Sequence, residues 1–324
     1  HETYPFDFSM VLGQESVRRA VEIAAAGHHN ILLYGPPGAG KSMIAKCVPS
    51  ILPELGRDES IETTMIHSVG GTLPAGSGLM RVPPFRTPHH TASGVSLVGG
   101  GRVPTVGEIS LAHHGVLFMD EFAEFRTDTL QALRQPLEDQ VVTVTRAAGC
   151  ARFPADFMLI GSSNPCRCGF LLDRDTKCRC TQAEVRAYFR KITGPVLDRI
   201  DIDIYVPRVE YGALLKGGSS ESSSAIRERV VAARAIQRAR FGGRLSPCNS
   251  RMSSEEVRRF CAIDPETERA VEEAVVKLNL SARSFFRVLK VARTIADLDG
   301  SVKVELRHAM EAVSYKSLQR HCDV

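Results

Sequence analysis

The feature that most constrains this chain is Gly35-Pro36-Pro37-Gly38-Ala39-Gly40-Lys41-Ser42. It fills every fixed position of G-x-x-x-x-G-K-[ST], a loop whose backbone N–H groups close on phosphate oxygens. Residues 30–34 before it read as a buried strand, and residues 42–48 after it as the start of a helix. That order brings bound phosphate to a helix N-terminus, where the dipole favours negative charge. Lys41 is then expected to reach the β- and γ-phosphates, and Ser42 to hold Mg²⁺. The expected nucleotide-binding stretch runs from Gly35 to Met43. A plain Gly/Pro turn would not need the whole motif and both flanks.

Residues 1–207 alternate short apolar runs with amphipathic stretches, the pattern of a parallel sheet with flanking helices. Expected strands are 30–34, 61–69, 115–120, 157–162 and 200–206. Residues 217–224 form a Gly/Ser-rich connector. Beyond it, 226–241, 253–261 (opening on a Ser-Ser-Glu-Glu cap), 266–278, 281–297 and 303–318 read as helices. The expected fold class is therefore α/β followed by a small all-helical domain, divided into 1–207 and 208–324. The chain opens on His1 rather than Met, which reads as a fragment of a longer protein. No run of about 18 apolar residues marks a membrane span. The net charge of +4 is too small to prove a nucleic-acid partner by itself. Nine unevenly spread cysteines argue for a reducing cytoplasm rather than a secreted disulfide framework.

Two further strands end in functional chemistry. Gly115-Val116-Leu117-Phe118-Met119 runs into Asp120 and Glu121. Behind a phosphate loop, a strand-end Asp assists Mg²⁺, and a following Glu can take the proton of an attacking water. Residues 157–163 are followed by Asn164, whose amide could orient that water; a turn-forming Asn before Pro165 is the alternative.

These motifs together resemble the AAA+ ATPases, and more narrowly the magnesium-chelatase-like branch that includes the ComM/YifB family. The resemblance rests on residues 94–101, 104–122 (PTVGEISLAHHGVLFMDEF), 194–202 (GPVLDRIDI) and 281–298 (SARSFFRVLKVARTIADL), and covers nearly the whole chain. It implies an AAA+ fold with an all-helical lid. It also implies an upstream Lon-like domain that this chain lacks. Asp120 and Glu121 become the Walker B pair, Asn164 sensor 1 and Arg283 sensor 2. Arg199 resembles an arginine finger reaching a neighbour's γ-phosphate, worth about 10³–10⁵ in rate in comparable NTPases. On residue chemistry alone, Arg199 could instead pair with Asp198, Asp201 or Asp203, and Arg283 could be a helix-surface charge. A finger given in trans implies a homo-oligomeric ring, usually a hexamer in the family.

The stretch from Lys41 to Asp120 exceeds what one helix and one strand need. Its surplus at 81–102 resembles the helix-2 insert of the same clade. Residues 141–146 and 151–154 read as a hairpin resembling the pre-sensor-1 hairpin. If both loops face a central pore, Arg102, Arg146 and Arg152 are candidate phosphate contacts along DNA; otherwise they solvate loop edges. His89, His90, His113 and His114 lack the i, i+4 spacing of a helical metal site and are expected to be structural. Cys166-x-Cys168 and Cys178-x-Cys180 place four thiols on one loop, suited to tetrahedral Zn²⁺, with disulfides as the alternative. The resemblance points to an ATPase and DNA helicase promoting branch migration in natural transformation. A magnesium-chelatase ATPase subunit and a MoxR-type protein remodeller are the alternatives.

Overall fold

The computed structural model describes residues 4–100, 105–146, 149–173, 175–192, 196–209 and 220–318. In chain order its helices and strands are α1 (Glu15–Gly27), β1 (Ile31–Tyr34), α2 (Lys41–Cys47), α3 (Arg57–Val69) and β2 (Phe85–Arg86). Then come α4 (Gly94–Val98), α5 (Glu108–Leu111), β3 (Val116–Met119), α6 (Thr127–Ala132), α7 (Arg134–Asp139), β4 (Val141–Arg146), β5 (Gly149–Pro154) and β6 (Met158–Ser163). The remainder are α8 (Gln182–Ile192), β7 (Ile202–Tyr205), α9 (Ser223–Arg240), α10 (Ser254–Phe260), α11 (Pro265–Lys277), α12 (Ala282–Leu298) and α13 (Leu306–Ser314).

The chain forms two compact units. The first comprises His1–Leu52, Ser163–Phe189 and Ile200–Val324; the second comprises Pro53–Ser162 and Arg190–Arg199. In the first unit, β1 pairs in parallel with β7, with Ile31 opposite Ile202 and Tyr34 opposite Tyr205. All four residues of β1 are buried, as expected of a parallel strand covered on both faces. The C-terminal helices pack on α1: Gln237 donates to the Ala26 carbonyl (2.9 Å), and Arg229 pairs with Glu22 (2.5 Å). Their own core gathers Phe241, Met252, Val257, Cys261 and Leu289. The Ser253 hydroxyl and Glu256 carboxylate close a capping box on α10, as its Ser-Ser-Glu-Glu sequence predicts.

In the second unit β2, β3 and β6 run parallel, with Val116 opposite both Phe85 and Met158. β4 and β5 make a separate antiparallel hairpin in which Val142 and Val144 are buried while Thr143 and Thr145 face out. That alternation is the signature of a one-sided strand.

The expected strand at 61–69 is instead the body of α3. Its β-branched residues suggest a strand, yet Ser60, Thr63, Ile66 and His67 are the buried ones, a helical spacing. The Gly56 N–H donates to the Glu59 carboxylate (2.7 Å), and the Thr64 hydroxyl donates back to the Ser60 carbonyl (2.6 Å). Capping and periodicity outweigh β propensity here. The polar connector also ends earlier than its composition suggests. Ser222 caps α9, and Ser223 is a buried helix residue that accepts a hydrogen bond from the Phe8 N–H (2.8 Å). Residues 217–219 of the connector lie outside the described residues.

Candidate nucleotide-binding site

Within the first unit, β1 delivers the chain to Gly35, whose N–H donates to the Ser163 carbonyl (3.1 Å). The loop then turns through Gly38 and Gly40, with φ of 77° and 88°. Side-chain-bearing residues rarely adopt that left-handed region, so the motif's glycines are geometric requirements. Lys41 opens α2 and is buried. Its ammonium donates to the Gly35 carbonyl (2.7 Å), the Pro36 carbonyl (2.8 Å) and Asn164 Oδ1 (3.3 Å). The motif lysine and the strand-end Asn therefore meet. Ser42 follows, half-buried. Loop amides, an ammonium and a hydroxyl on adjacent positions form a donor set that fits polyphosphate and Mg²⁺.

Gln14 has no motif to announce it, yet it clamps this loop. Its amide donates to the Ala39 carbonyl (2.9 Å) and the Pro207 carbonyl (2.6 Å). Its backbone is left-handed, with φ of 55°, immediately before α1.

Arg283 lies exposed in the first turn of α12, behind the Ser281 cap. One turn further, Arg287 donates to Asp201 Oδ1 (2.8 Å). Asp201 Oδ2 accepts from the Asn30 N–H (3.1 Å) and lies 3.4 Å from His29 Nδ1. Burial alone would raise the Asp201 carboxyl, but Arg287, His29 and Lys316 outweigh it and hold it well below the usual carboxylate range. This contact joins the two most distinctive sequence segments, 194–202 and 281–298.

The cysteine loop follows Asn164 in the same unit. The Sγ atoms of Cys166, Cys168 and Cys178 lie 3.4, 3.5 and 3.7 Å apart, and Cys180 completes a set within 4.8 Å. All four are free thiols. Burial pushes the Cys166 thiol up to about 12. Burial would also raise Cys168, but N–H bonds from Arg179 and Phe170 prevail and lower it to about 6. A knot of thiols beside converging N–H donors is suited to thiolate ligands.

In the second unit, β3 ends at Asp120. Asp120 Oδ1 accepts from the Ser162 hydroxyl and from the Glu121 N–H (3.1 Å). Ser162 follows from register: Met119 faces Gly161, so Asp120 falls opposite Ser162. Glu121 takes a left-handed backbone (φ 54°, ψ 47°), and its carboxylate lies 3.1 Å from His90 Nδ1. Non-glycine residues in that region store roughly 1–3 kcal/mol and concentrate at functional sites. His90 thus has a partner in the site, beyond the structural role expected from sequence.

Arg199 is buried and ion-paired with Glu138 on α7. Glu138 was not among the partners its neighbouring sequence suggested; Asp201 is committed to Arg287 and His29 instead. Arg152 stands exposed on β5, opposite Thr143. Arg146 ends β4, and Arg102 lies outside the described residues.

His113 and His114 both place Nε2 3.1 Å from the same Glu62 oxygen. His113 Nδ1 accepts the Asp156 N–H (3.0 Å), so a neutral His113 carries its proton on Nε2 and donates it to Glu62. The ligand atoms of Glu62, His113 and His114 all lie within 4.8 Å of one another. Burial first, and His114 next, push His113 down to about 4.

A strand-terminal phosphate-loop motif, a buried strand ending in two carboxylates, parallel sheet strands with flanking helices and a helical C-terminal region define an AAA+-type P-loop protein. The family model "Magnesium chelatase, subunit ChlI" matches residues 7–214, and its C-terminal counterpart matches residues 220–316. This chain belongs to that magnesium-chelatase-like family, in its ComM/YifB group. It is 41% identical over 315 residues to "Uncharacterized protein YifB" of Escherichia coli K12, covering 97% of this chain and 61% of the relative. It is 42% identical over 316 residues to "Competence protein ComM" of Haemophilus influenzae, covering 97% and 60%. The magnesium-chelatase 38 kDa subunit of Rhodobacter capsulatus is 27% identical over 179 residues, covering 49% of this chain and 50% of the relative. The chain spans about three-fifths of the length of its YifB and ComM relatives.

Proposed function

We propose that this chain is the motor part of an ATP-hydrolysing ring that acts on DNA in the cytoplasm, as a ComM-like helicase promoting branch migration in natural transformation. The observation that carries the nucleotide reading is Lys41, held by two loop carbonyls and Asn164. Phosphate oxygens would draw its ammonium from the Gly35 and Pro36 carbonyls. Ser42 and Asp120 would hold Mg²⁺, which neutralises charge on the β- and γ-oxygens when bound. Glu121 takes the proton of the attacking water, and Asn164 orients that water. Arg283 serves the same subunit's phosphates, and Arg199 the neighbour's, in a closed ring with the hexamer as its expected size. Residues 208–324 act as the lid. The four cysteines hold a structural Zn²⁺, since no ligand position is left open for chemistry.

The DNA reading is supported by kinship with ComM at 42% identity and by the hairpin of β4 and β5 with exposed Arg152. Arg102 and Arg146 are its further candidate contacts. The hairpin carries few aromatic residues, so contact is electrostatic rather than by base stacking. A chelatase ATPase subunit is the second reading, favoured by the family model's description and the Rhodobacter relative.

The test is ATP hydrolysis with and without single-stranded and forked DNA over a salt series, with Lys41→Ala as control. Stimulation by DNA that fades with salt and vanishes in the variant is expected. Hydrolysis indifferent to DNA in a preparation that forms rings overturns the motor reading. Porphyrin-dependent turnover would establish the chelatase reading instead.

A further inference from the structure

We propose that the four-cysteine knot is a metal-dependent brace for the phosphate loop: Zn²⁺ at Cys166, Cys168, Cys178 and Cys180 fixes the Gly169 turn against Pro37 and so sets nucleotide affinity. This rests on the zinc reading above and adds what the metal does.

The knot has the dimensions of a metal site. Four sulfurs at Zn–S of about 2.3 Å around a tetrahedral ion stand about 3.8 Å apart. The sulfur separations of 3.4–3.7 Å approach that edge and exceed any disulfide bond. The thiols come from both ends of one spacer, so a metal closes that spacer into a loop.

One side of the spacer rests on the nucleotide machinery. The Gly169 N–H donates to the Cys166 carbonyl (3.0 Å), and Gly169 has φ of +86°. A Cβ added there would lie 2.7 Å from Pro37 Cδ and 2.9 Å from Pro37 Cγ. The backbone of the turn is thus pressed directly on the phosphate-loop proline. Asn164, which holds the Lys41 ammonium, stands two residues ahead of Cys166.

The other side of the spacer is tied to the chain that leaves β7. The Tyr205 hydroxyl donates to the Leu172 carbonyl (2.9 Å), and Arg208 pairs with Asp173 (3.0 Å). The Arg208 guanidinium also lies 5.4 Å from the Phe170 ring centroid. Leu172, Asp173, Tyr205 and Arg208, together with Pro36, line a cavity of about 470 Å³. The spacer and Pro36 of the phosphate loop thus border the same hollow. Loss of the metal frees the chain between Cys166 and Cys178, raising the conformational freedom that nucleotide binding must remove. No thiol needs to touch phosphate for this; the effect is positional.

The experiment uses the full chain with three readouts: zinc per chain by elemental analysis, fluorescent-ADP affinity by anisotropy, and melting temperature. The samples are wild type, chelator-stripped wild type, Cys178→Ser/Cys180→Ser and Gly169→Ala. About one zinc per chain is expected in the wild type, with nucleotide affinity lowered about tenfold or more in the stripped and Cys variants. Gly169→Ala should keep its zinc and still lose affinity, because its methyl group meets Pro37. That variant decides the matter if the stripped protein fails to fold. Full zinc in Gly169→Ala with wild-type affinity overturns the brace and leaves the zinc site standing. No zinc in the purified chain, and none taken up on titration, overturns the zinc reading and the brace with it.

Discussion

Asp201→Asn is the most informative single perturbation of the scaffold. The Asp201 carboxylate is buried and accepts from Arg287 (2.8 Å) and the Asn30 N–H (3.1 Å), with His29 at 3.4 Å. An amide keeps one acceptor oxygen, but its NH₂ must face a donor. Breaking a buried pair by removing one partner costs about 3–5 kcal/mol. Arg287 keeps 24% of its side-chain surface, so some of its charge can be rehydrated. The low end, about 3 kcal/mol, is therefore expected. For a unit of 150–250 residues that is a fall of roughly 6–12 °C in Tm. Arg283 lies one turn ahead of Arg287 on α12, so the variant should also weaken nucleotide-dependent turnover. Differential scanning calorimetry of Asp201→Asn, Arg287→Met and the double variant measures the coupling. The double variant should be less destabilised than the two single losses added together, by about 1–3 kcal/mol. A Tm within about 2 °C of wild type, or strict additivity, would refute the reasoning.

Two further outcomes follow from the site. Stability should fall as pH drops from about 6.5 to about 4, because His113 is held neutral at about 4 when folded and titrates near 6.5 when unfolded. A depressed folded value stabilises above the unfolded value and is lost as pH falls towards the folded one; the full span is about 3 kcal/mol. Denaturant unfolding across that range tests it, and a flat profile, or one unaltered in His113→Gln, counts against it. Glu121→Gln should keep nucleotide affinity and lower hydrolysis by about 10²–10⁴, as for loss of a general base; undiminished single-turnover hydrolysis would remove Glu121 from that role.

Much of this protein was legible because its chemistry is local. The phosphate loop is contiguous, and its glycines answer to their own φ values. β1, β3 and β6 each showed as a short apolar run, because parallel strands are buried on both faces, and β7 lies within the stretch 200–206, where Ile alternates with Asp before Tyr205 and Val206. The cysteine knot was likewise readable, since its four thiols fall within fifteen residues of one another. The error at 61–69 arose where β-branched residues sit on a helical burial pattern whose inward face only packing reveals.

What the sequence could not assign were partnerships between distant segments. Asp201 was a plausible partner for its near neighbour Arg199, yet it pairs with Arg287, while Arg199 pairs with Glu138. Gln14 on the phosphate loop, Ser162 on Asp120, His90 on Glu121 and Gly169 against Pro37 are of the same kind. A motif specifies which groups the chemistry needs, because those groups share one short backbone. Which side chains hold them in place depends on register, burial and the direction each helix faces, and those are settled only when the chain packs.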